Sequence, residues 1–455
     1  MSSQALIAGA RLDRECERGK SVMQREVQTP RDGVAERQNG RLVASSLFPR
    51  PEERSNPYAF YATMRRDYPV AHDEENDFWA VYRYDDVKRV LSDYTTFSSE
   101  FARVARQKYH ESERARFRTS LISSDPPRHR QLRDLISRAF TPRAVASLEP
   151  RIVEITHDLL DQVIESGRMD LVGDLSYPLP VIVIAELLGI PTQDRAQFKR
   201  WSDALVGTSD ESFRGDLKEV PEARLKLQEE MDAYFRPLIE ERRLRPRGDL
   251  ISELVLAEID GQHLSEEDTL AFCTLLLIAG NITTTNLIAN AMHCLLEHPD
   301  QLARLRAQPN LLPSAIEEVL RFESPVQFLF RVTARDVELG GQTIPANERI
   351  FVWVASANRD EAVFPDAERF DIARHPNPHL AFGHSIHFCV GAPLARLEAR
   401  VAFSILLERL RNIERADGDV ESTKGFLHGI THLPLRFSPG RPRSGTHSVE
   451  VRAAA

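Results

Sequence analysis

The sequence predicts a mainly helical protein with a small β-sheet region, and three observations carry that expectation. Apolar residues recur at spacings of three and four through most segments, with charges between them, as in 150–166 and 222–243. Strand and turn signals are confined to 78–82, 337–344 folded at Gly340-Gly341, 350–354 and 433–437. The third is a run from 269 to 296 without Asp, Glu, Lys or Arg. It exceeds the roughly 20 residues that cross a bilayer. Asn281, Thr283, Thr284, Thr285, Asn286 and Asn290 sit at its middle, where lipid is least forgiving, so it reads as a helix buried in a large core.

Composition narrows the function classes. The chain has 455 residues, 42% hydrophobic and 28% charged, enough for a sizeable core. Its net charge of -9 argues against a general nucleic-acid binder. Cys16, Cys273, Cys294 and Cys389 form no CxxC pair and no disulfide framework, which suits a reducing compartment. The N-terminus shows no basic start followed by an apolar run, so no signal peptide or membrane anchor is expected, and a cytoplasmic location follows.

In chain order, 1–46 carries scattered charge and little periodicity and reads as a poorly ordered extension, with the fold starting near Asn56-Pro57. No strong linker divides 47–438, which reads as one domain, and 439–455 reads as a tail. Segment 101–119 is unusually basic; a solvated surface explains it, as does attraction of an anionic substrate group. Asp125-Pro126-Pro127 predicts a helix start, with Asp125 as cap and proline in the first turn. His129 and Arg133 follow on one face of that helix. In 269–296 the Thr283 hydroxyl can bond back to the carbonyl of residue 279 and open the helix locally. Glu318 and Arg321 are three apart and can pair on one helix face.

The densest segment runs from Phe382 to Pro393 and leads into a helix on which Leu394, Leu397, Val401 and Ile405 share a face, with Pro393 suited to its first turn. Cys389 thus precedes a helix N-terminus, where free N–H groups and the dipole stabilise a thiolate able to bind a metal. The residues alone leave two other readings open: a buried structural cysteine, or zinc held by His384, His387 and Cys389, whose spacing matches no usual zinc pattern and lacks a fourth ligand.

Together these motifs resemble the cytochrome P-450 family, in a soluble bacterial form, over roughly residues 56–438. The family's Phe-x-x-Gly-x-x-x-Cys-x-Gly loop is matched by Phe382, Cys389 and Gly391, with Ser385 at the first glycine. Its Glu-x-x-Arg is matched by Glu318 and Arg321, followed by Phe-Pro-Asp-Ala-Glu-Arg-Phe at 364–370. The resemblance implies haem b with Cys389 as axial ligand of the iron, Phe382 beside it, and His129, Arg133, Arg331 and His387 on the propionates. It implies that Glu318 and Arg321 lock the cysteine region by hydrogen bonds to Arg369 or its neighbours.

Ala279-Gly280-Asn281-Ile282-Thr283 aligns with the family's Ala-Gly-x-acid-Thr. The resemblance implies that small Ala279 and Gly280 leave room for dioxygen, and that Thr283 hydrogen-bonds the oxygen on the iron and organises water for its protonation. Ile282 stands where an acid is usual and cannot relay a proton. Implied around an apolar substrate are Val326, Phe328, Leu329, Phe426 and Leu427. The implied electron donor is a separate ferredoxin or flavodoxin with its reductase, docking on Arg128, Arg130, Arg138, Arg143, Arg396 and Arg400. Hydroxylation with dioxygen is the leading expectation. A peroxide-driven peroxygenase and a non-catalytic haem-thiolate ligand-binding protein are the alternatives that Ile282 keeps open.

Overall fold

The computed structural model describes residues 36–38, 41–43, 47–74, 76–100, 120–194, 196–198, 200–201, 204, 222–259, 262–423 and 425–443. Its N-terminal part alternates short strands and helices: β1 (Glu36–Gln38), β2 (Arg41–Val43), α1 (Tyr58–Asp67), β3 (Val70–Asp73), β4 (Phe78–Val81), α2 (Tyr84–Ser92) and β5 (Phe97–Ser98). A helical body follows: α3 (Arg128–Ala139), α4 (Pro142–Ser147), α5 (Glu149–Asp161), β6 (Arg168–Asp170), α6 (Pro178–Leu188), α7 (Glu222–Leu244), α8 (Leu250–Leu256), β7 (Glu258–Ile259), β8 (Gln262–His263), α9 (Glu266–Glu297), α10 (Pro299–Ala307) and α11 (Leu312–Phe322). Then come β9 (Leu329–Thr333), β10 (Val337–Leu339), β11 (Gln342–Ile344), β12 (Arg349–Val352), α12 (Val354–Ala357), α13 (Ala392–Arg409), β13 (Arg411–Arg415), β14 (Glu421–Ser422), β15 (Ile430–His432) and β16 (Pro434–Ser438).

The uncharged run forms most of α9. Ser265 caps it by accepting from the Asp268 N–H, and Glu266, Glu267 and Asp268 fill its first turn, where the helix dipole favours negative charge. Among the described helices it alone is long and apolar enough to cross a membrane, but 72% of its most apolar window is buried inside the protein. Helices α6, α7, α11 and α13 pack around it. The sheet order β1-β2-β3-β4-β12-β9-β5 places β9 between β12 and β5. A second core, dominated by Phe78, Tyr82, Phe328, Phe351 and Trp353, lies under this sheet.

Part of the chain read as a poorly ordered extension is strand: Glu36 to Gln38 pairs with Arg41 to Val43, and Val43 pairs with His72 of β3. An exposed sheet edge supplies ladder partners to a segment whose composition alone gives no reason to order. Past β16, the Gly440 N–H donates to Ile164 O and Arg443 pairs with Asp158 and Asp161, so residues 440–443 are tied down. Strands β3 and β9 carried no recognised period-two signal, because both faces of β3 and much of β9 are covered.

Candidate active site

The segment before α13 turns tightly. The Cys389 N–H donates to Phe382 O at 2.8 Å and the Phe388 N–H to Ser385 O at 3.0 Å. Gly383 at φ +73° and Ser385 at φ +59° both take the left-handed conformation. Cys273 and Cys294 are buried, and burial pushes their thiols up, that of Cys273 to about 12. Cys389 is exposed. Burial by the surrounding protein nevertheless pushes its thiol up, against the N–H groups of Gly391 and Ala392 and the charge of Arg133. A sulfur that is accessible yet poorly solvated opens on an internal cleft rather than on bulk water.

Four donor groups converge on the same cleft from three elements: His129 and Arg133 of α3, Arg331 of β9, and His387 of the loop. The rings of His129 and His387 are 4.2 Å apart. Arg133 Nη1 donates to Phe388 O at 2.7 Å, and its charge is felt by Cys389, His129 and His387. Ser99 Oγ bonds His387 Nε2 at 3.0 Å. Burial, then Arg331, His129 and Arg133, pushes His387 down to about 3. Burial brings Arg331 down to about 10, and its Nη1 donates to the neighbouring Phe330 O. His129 is lowered by burial and by Arg133, and its Nε2 is buried without a hydrogen-bond partner.

Mutually repelling donors of this kind, His129 and Arg331 buried and Arg133 and His387 partly so, call for anions. Asp125 is the near carboxylate, and it is engaged elsewhere: it accepts from Ser98 Oγ and, at 3.0 Å, from the Ser99 N–H. It is therefore not the cap of α3, whose N-cap position is Pro127 with no side-chain hydrogen bond. An accessible sulfur ahead of a helix N-terminus and an under-neutralised donor set fit a flat metallocofactor bearing two carboxylates, such as haem. Among the described residues His384, His387 and Cys389 do not converge as metal ligands, which removes the zinc reading.

On α9, Ala279 is exposed and Thr283 partly exposed, whereas Leu276, Leu277, Asn281 and Ile282 are buried. Exposure in the middle of a core helix again marks an internal cleft. Thr283 Oγ1 donates to Ala279 O at 2.8 Å, as the sequence suggested. A Cβ at Gly280 would meet the Ile184 side chain of α6 at 3.2 Å, so the two helices pack closely there.

The Glu318–Arg321 pair is fully buried, with Arg321 Nη2 to Glu318 Oε1 at 2.8 Å. Arg321 also donates to the carbonyls of Asn358, Ala367 and Arg369. Sequence reasoning missed Arg374, whose Nε meets both Glu318 oxygens at 3.1 Å. It also missed Asn358, which accepts from the Leu380 N–H and donates to Ser324 Oγ. Nothing local marks either residue, since both contacts span tens of residues.

Of the expected substrate residues, Val326, Leu329 and Phe426 are partly exposed and Leu427 is buried in a bridge to Val326. Phe328 belongs to the aromatic core, 4.8 Å from Trp353 and 5.2 Å from Phe426. The loop 426–430 is held by a partly buried group the sequence did not reveal: Glu323 accepts from Tyr58 Oη and pairs with His428 Nε2, both at 2.8 Å. The basic segment 101–119 lies outside the described residues.

The expected arginine patch is largely neutralised. Arg128 pairs with Asp268 at 2.6 Å, Arg396 with Glu317 at 2.7 Å and Arg400 with Glu149 at 3.0 Å. Arg396 also lies over the Phe382 ring, 4.5 Å from its centroid. Arg130 and Arg143 are exposed, and the Arg138 side chain is outside the described residues.

The family model for Cytochrome P450 matches residues 53–438. The chain belongs to the cytochrome P450 family. It is 48% identical over 363 residues to the putative cytochrome P450 YjiB of Bacillus subtilis (strain 168), covering 80% of this chain and 89% of the relative. The structure of cytochrome P450 CYP109Q5 from Chondromyces apiculatus superposes with a TM-score of 0.77 at 45% identity, covering 86% of this chain and 97% of that one. CYP109E1 from Bacillus megaterium, solved in complex with testosterone, gives 0.74 at 42% identity, covering 84% and 99%. The fold is therefore the P450 fold, the chain is an oxidoreductase of the monooxygenase class, and its cofactor is thiolate-ligated haem b.

Proposed function

We propose that this P450 hydroxylates an apolar small molecule with dioxygen, using electrons from a separate acidic ferredoxin or flavodoxin and its reductase, in the cytoplasm. The reading is supported by the convergence of Cys389 with the donor set His129, Arg133, Arg331 and His387, and by the exposed Ala279 and partly exposed Thr283 in the middle of core helix α9. Bound there, thiolate-ligated haem supplies dioxygen activation for insertion into a C–H bond.

The chain's own residues do the rest. Cys389 would hold the haem iron through its sulfur, and the N–H groups of Gly391 and Ala392 with the charge of Arg133 work against the burial that raises its thiol. The four donors take the propionates, which relieves their mutual repulsion. Phe382 backs the cysteine through its carbonyl and Arg396-covered ring. Thr283 uses its proton on Ala279 O and keeps oxygen lone pairs to order water beside the reacting centre. Val326, Leu329 and Phe426 line an apolar substrate space, with Leu427 behind them. A steroid-sized guest is supported by the testosterone complex of CYP109E1. Exposed Arg130 and Arg143 are the cationic contacts for the electron donor.

Buried Ile282 holds no proton, and this favours a second reading in which hydrogen peroxide serves as oxidant. The haem-loaded protein is titrated with steroids, fatty acids, terpenoids and macrocycles while the main haem band is recorded, followed by turnover with ferredoxin and reductase or with peroxide. A class-specific band shift and product with the electron-transfer proteins are expected. Product with peroxide alone makes it a peroxygenase, and shifts without product by either route make it a ligand-binding protein. Ile282→Glu is expected to raise product formed per electron consumed; an unchanged ratio refutes the assigned effect of Ile282.

A further inference from the structure

The helix that carries Thr283 also grips the loop behind the substrate space. Thr283, Asn286 and Asn290 are spaced by three and then four residues along α9 and so share one face. Asn290 is 2% exposed, and both its amide hydrogens are used. Its Nδ2 donates to Glu323 O at 3.1 Å and to His428 O at 3.2 Å, and its Oδ1 accepts from the Ile430 N–H at 3.2 Å. Asn286 closes on the same loop: a Cβ on Gly429 would lie 2.1 Å from its Cγ. Two segments far from α9 in sequence are thus registered against it, the end of α11 that leads to Val326 and the loop 426–430. They are also joined to each other. The Gln327 N–H donates to Phe426 O at 3.0 Å and the His428 N–H to Pro325 O at 2.9 Å, so the two form one wall.

We propose that Asn290 is a specificity-determining positioning residue. By holding Glu323, His428 and Ile430 it fixes how far the wall bearing Val326, Phe426 and Leu427 stands from Ala279 and Thr283, and so which apolar guests fit between them. The inference rests on the reading that this wall faces the substrate. Other bonds shape the wall from within: Thr423 Oγ1 donates to Leu427 O at 2.8 Å and accepts from the Gly429 N–H at 2.9 Å, and His428 Nε2 meets Glu323 Oε2 at 2.8 Å. Those bonds do not reach α9, so they leave the distance to the helix open. The three bonds of Asn290 do span it. Removing the amide leaves two carbonyls and one N–H of the wall without that partner in a buried place, where an unpaired backbone group is costly, and the wall loses its fixed spacing.

The test uses the full haem-loaded chain and two azoles whose ring nitrogen binds haem iron and shifts the main haem band. Imidazole carries nothing that reaches the wall, whereas clotrimazole carries three aryl rings that do. Asn290→Ala is expected to weaken clotrimazole about 10-fold, as a changed apolar fit does, and to leave the Kd of imidazole within about 2-fold, as for a distant site. Haem content and the denaturant midpoint are measured alongside, because a merely structural role lowers both without moving the ratio of the two Kd values. If Asn290→Ala fails to fold, Asn290→Ser decides; its hydroxyl replaces only part of the three bonds, and a loss of about 3-fold for clotrimazole is expected. Phe426→Ala, a change in the wall itself, is expected to weaken clotrimazole about 10-fold. A ratio unchanged in the Asn290 variants while Phe426→Ala moves it overturns the proposal and leaves the pocket reading standing. Clotrimazole binding unaffected by Phe426→Ala, or a haem band that neither azole shifts, overturns both.

Discussion

Glu318→Gln isolates the energetic centre of the region before the cysteine loop. Glu318 Oε1 accepts from Arg321 Nη2, Arg374 Nε and the Asp371 N–H, and Oε2 from Arg321 Nε, Arg374 Nε and Asn377 Nδ2. Glutamine conserves the volume but removes the charge and turns one acceptor into a donor facing other donors. It leaves the fully buried Arg321 and the 10% exposed Arg374 without their counter-ion. Breaking such a pair from one side costs about 3–5 kcal/mol, roughly a fifth or more of an ordinary domain's stability. Because Arg321 also holds three carbonyls between Asn358 and Arg369, haem retention is expected to fall with it. The assay is denaturant unfolding of the purified haem protein together with its haem-to-protein ratio. Glu317→Gln, at a partly exposed pair, serves as reference. A Glu318→Gln loss no larger than that of Glu317→Gln refutes the reasoning.

Three further outcomes are expected. Ser385→Gly relieves a left-handed serine worth about 1–2 kcal/mol, less about 0.5–1 kcal/mol for the freer unfolded glycine, so denaturant midpoints should rise by a net of about 0.5–1 kcal/mol. Gly429→Ala places a Cβ 2.1 Å from Asn286 Cγ and 2.6 Å from its Cβ; rotating that side chain cannot clear it, so a loss of about 1–3 kcal/mol and weaker ligand-induced haem shifts should follow. Burial pushes the Glu317 carboxyl up, but Arg396 and His379 outweigh burial and hold it down at about 2. A depressed carboxylate contributes its stability in full above about pH 4.5 and loses it as pH falls towards 2; Glu317→Gln should flatten unfolding free energy across that window, and an identical slope would count against the pairing.

Much of the site was legible because its chemistry is local. Thr283 four residues after Ala279 and Glu318 three before Arg321 are spacings that a helix converts directly into contacts. The helical body was legible for the same reason, since periodicity reports the face a segment buries.

Where local chemistry stopped, the reading changed. Asp125 has the residue type and position of a cap but turns to Ser98 and Ser99, which strand β5 brings to it. Arg128, Arg396 and Arg400 look like a docking patch until Asp268, Glu317 and Glu149 meet them from other helices. A Cβ at Gly280 would crowd Ile184 from another helix, and Arg374 completes the buried pair at Glu318. The sequence by itself determined which groups the chain owns and which neighbours share a helix face. Only tertiary structure decided which charges are neutralised, which small residues are required and which donors are left facing a cleft, because those outcomes depend on desolvation and contact between segments far apart in the chain.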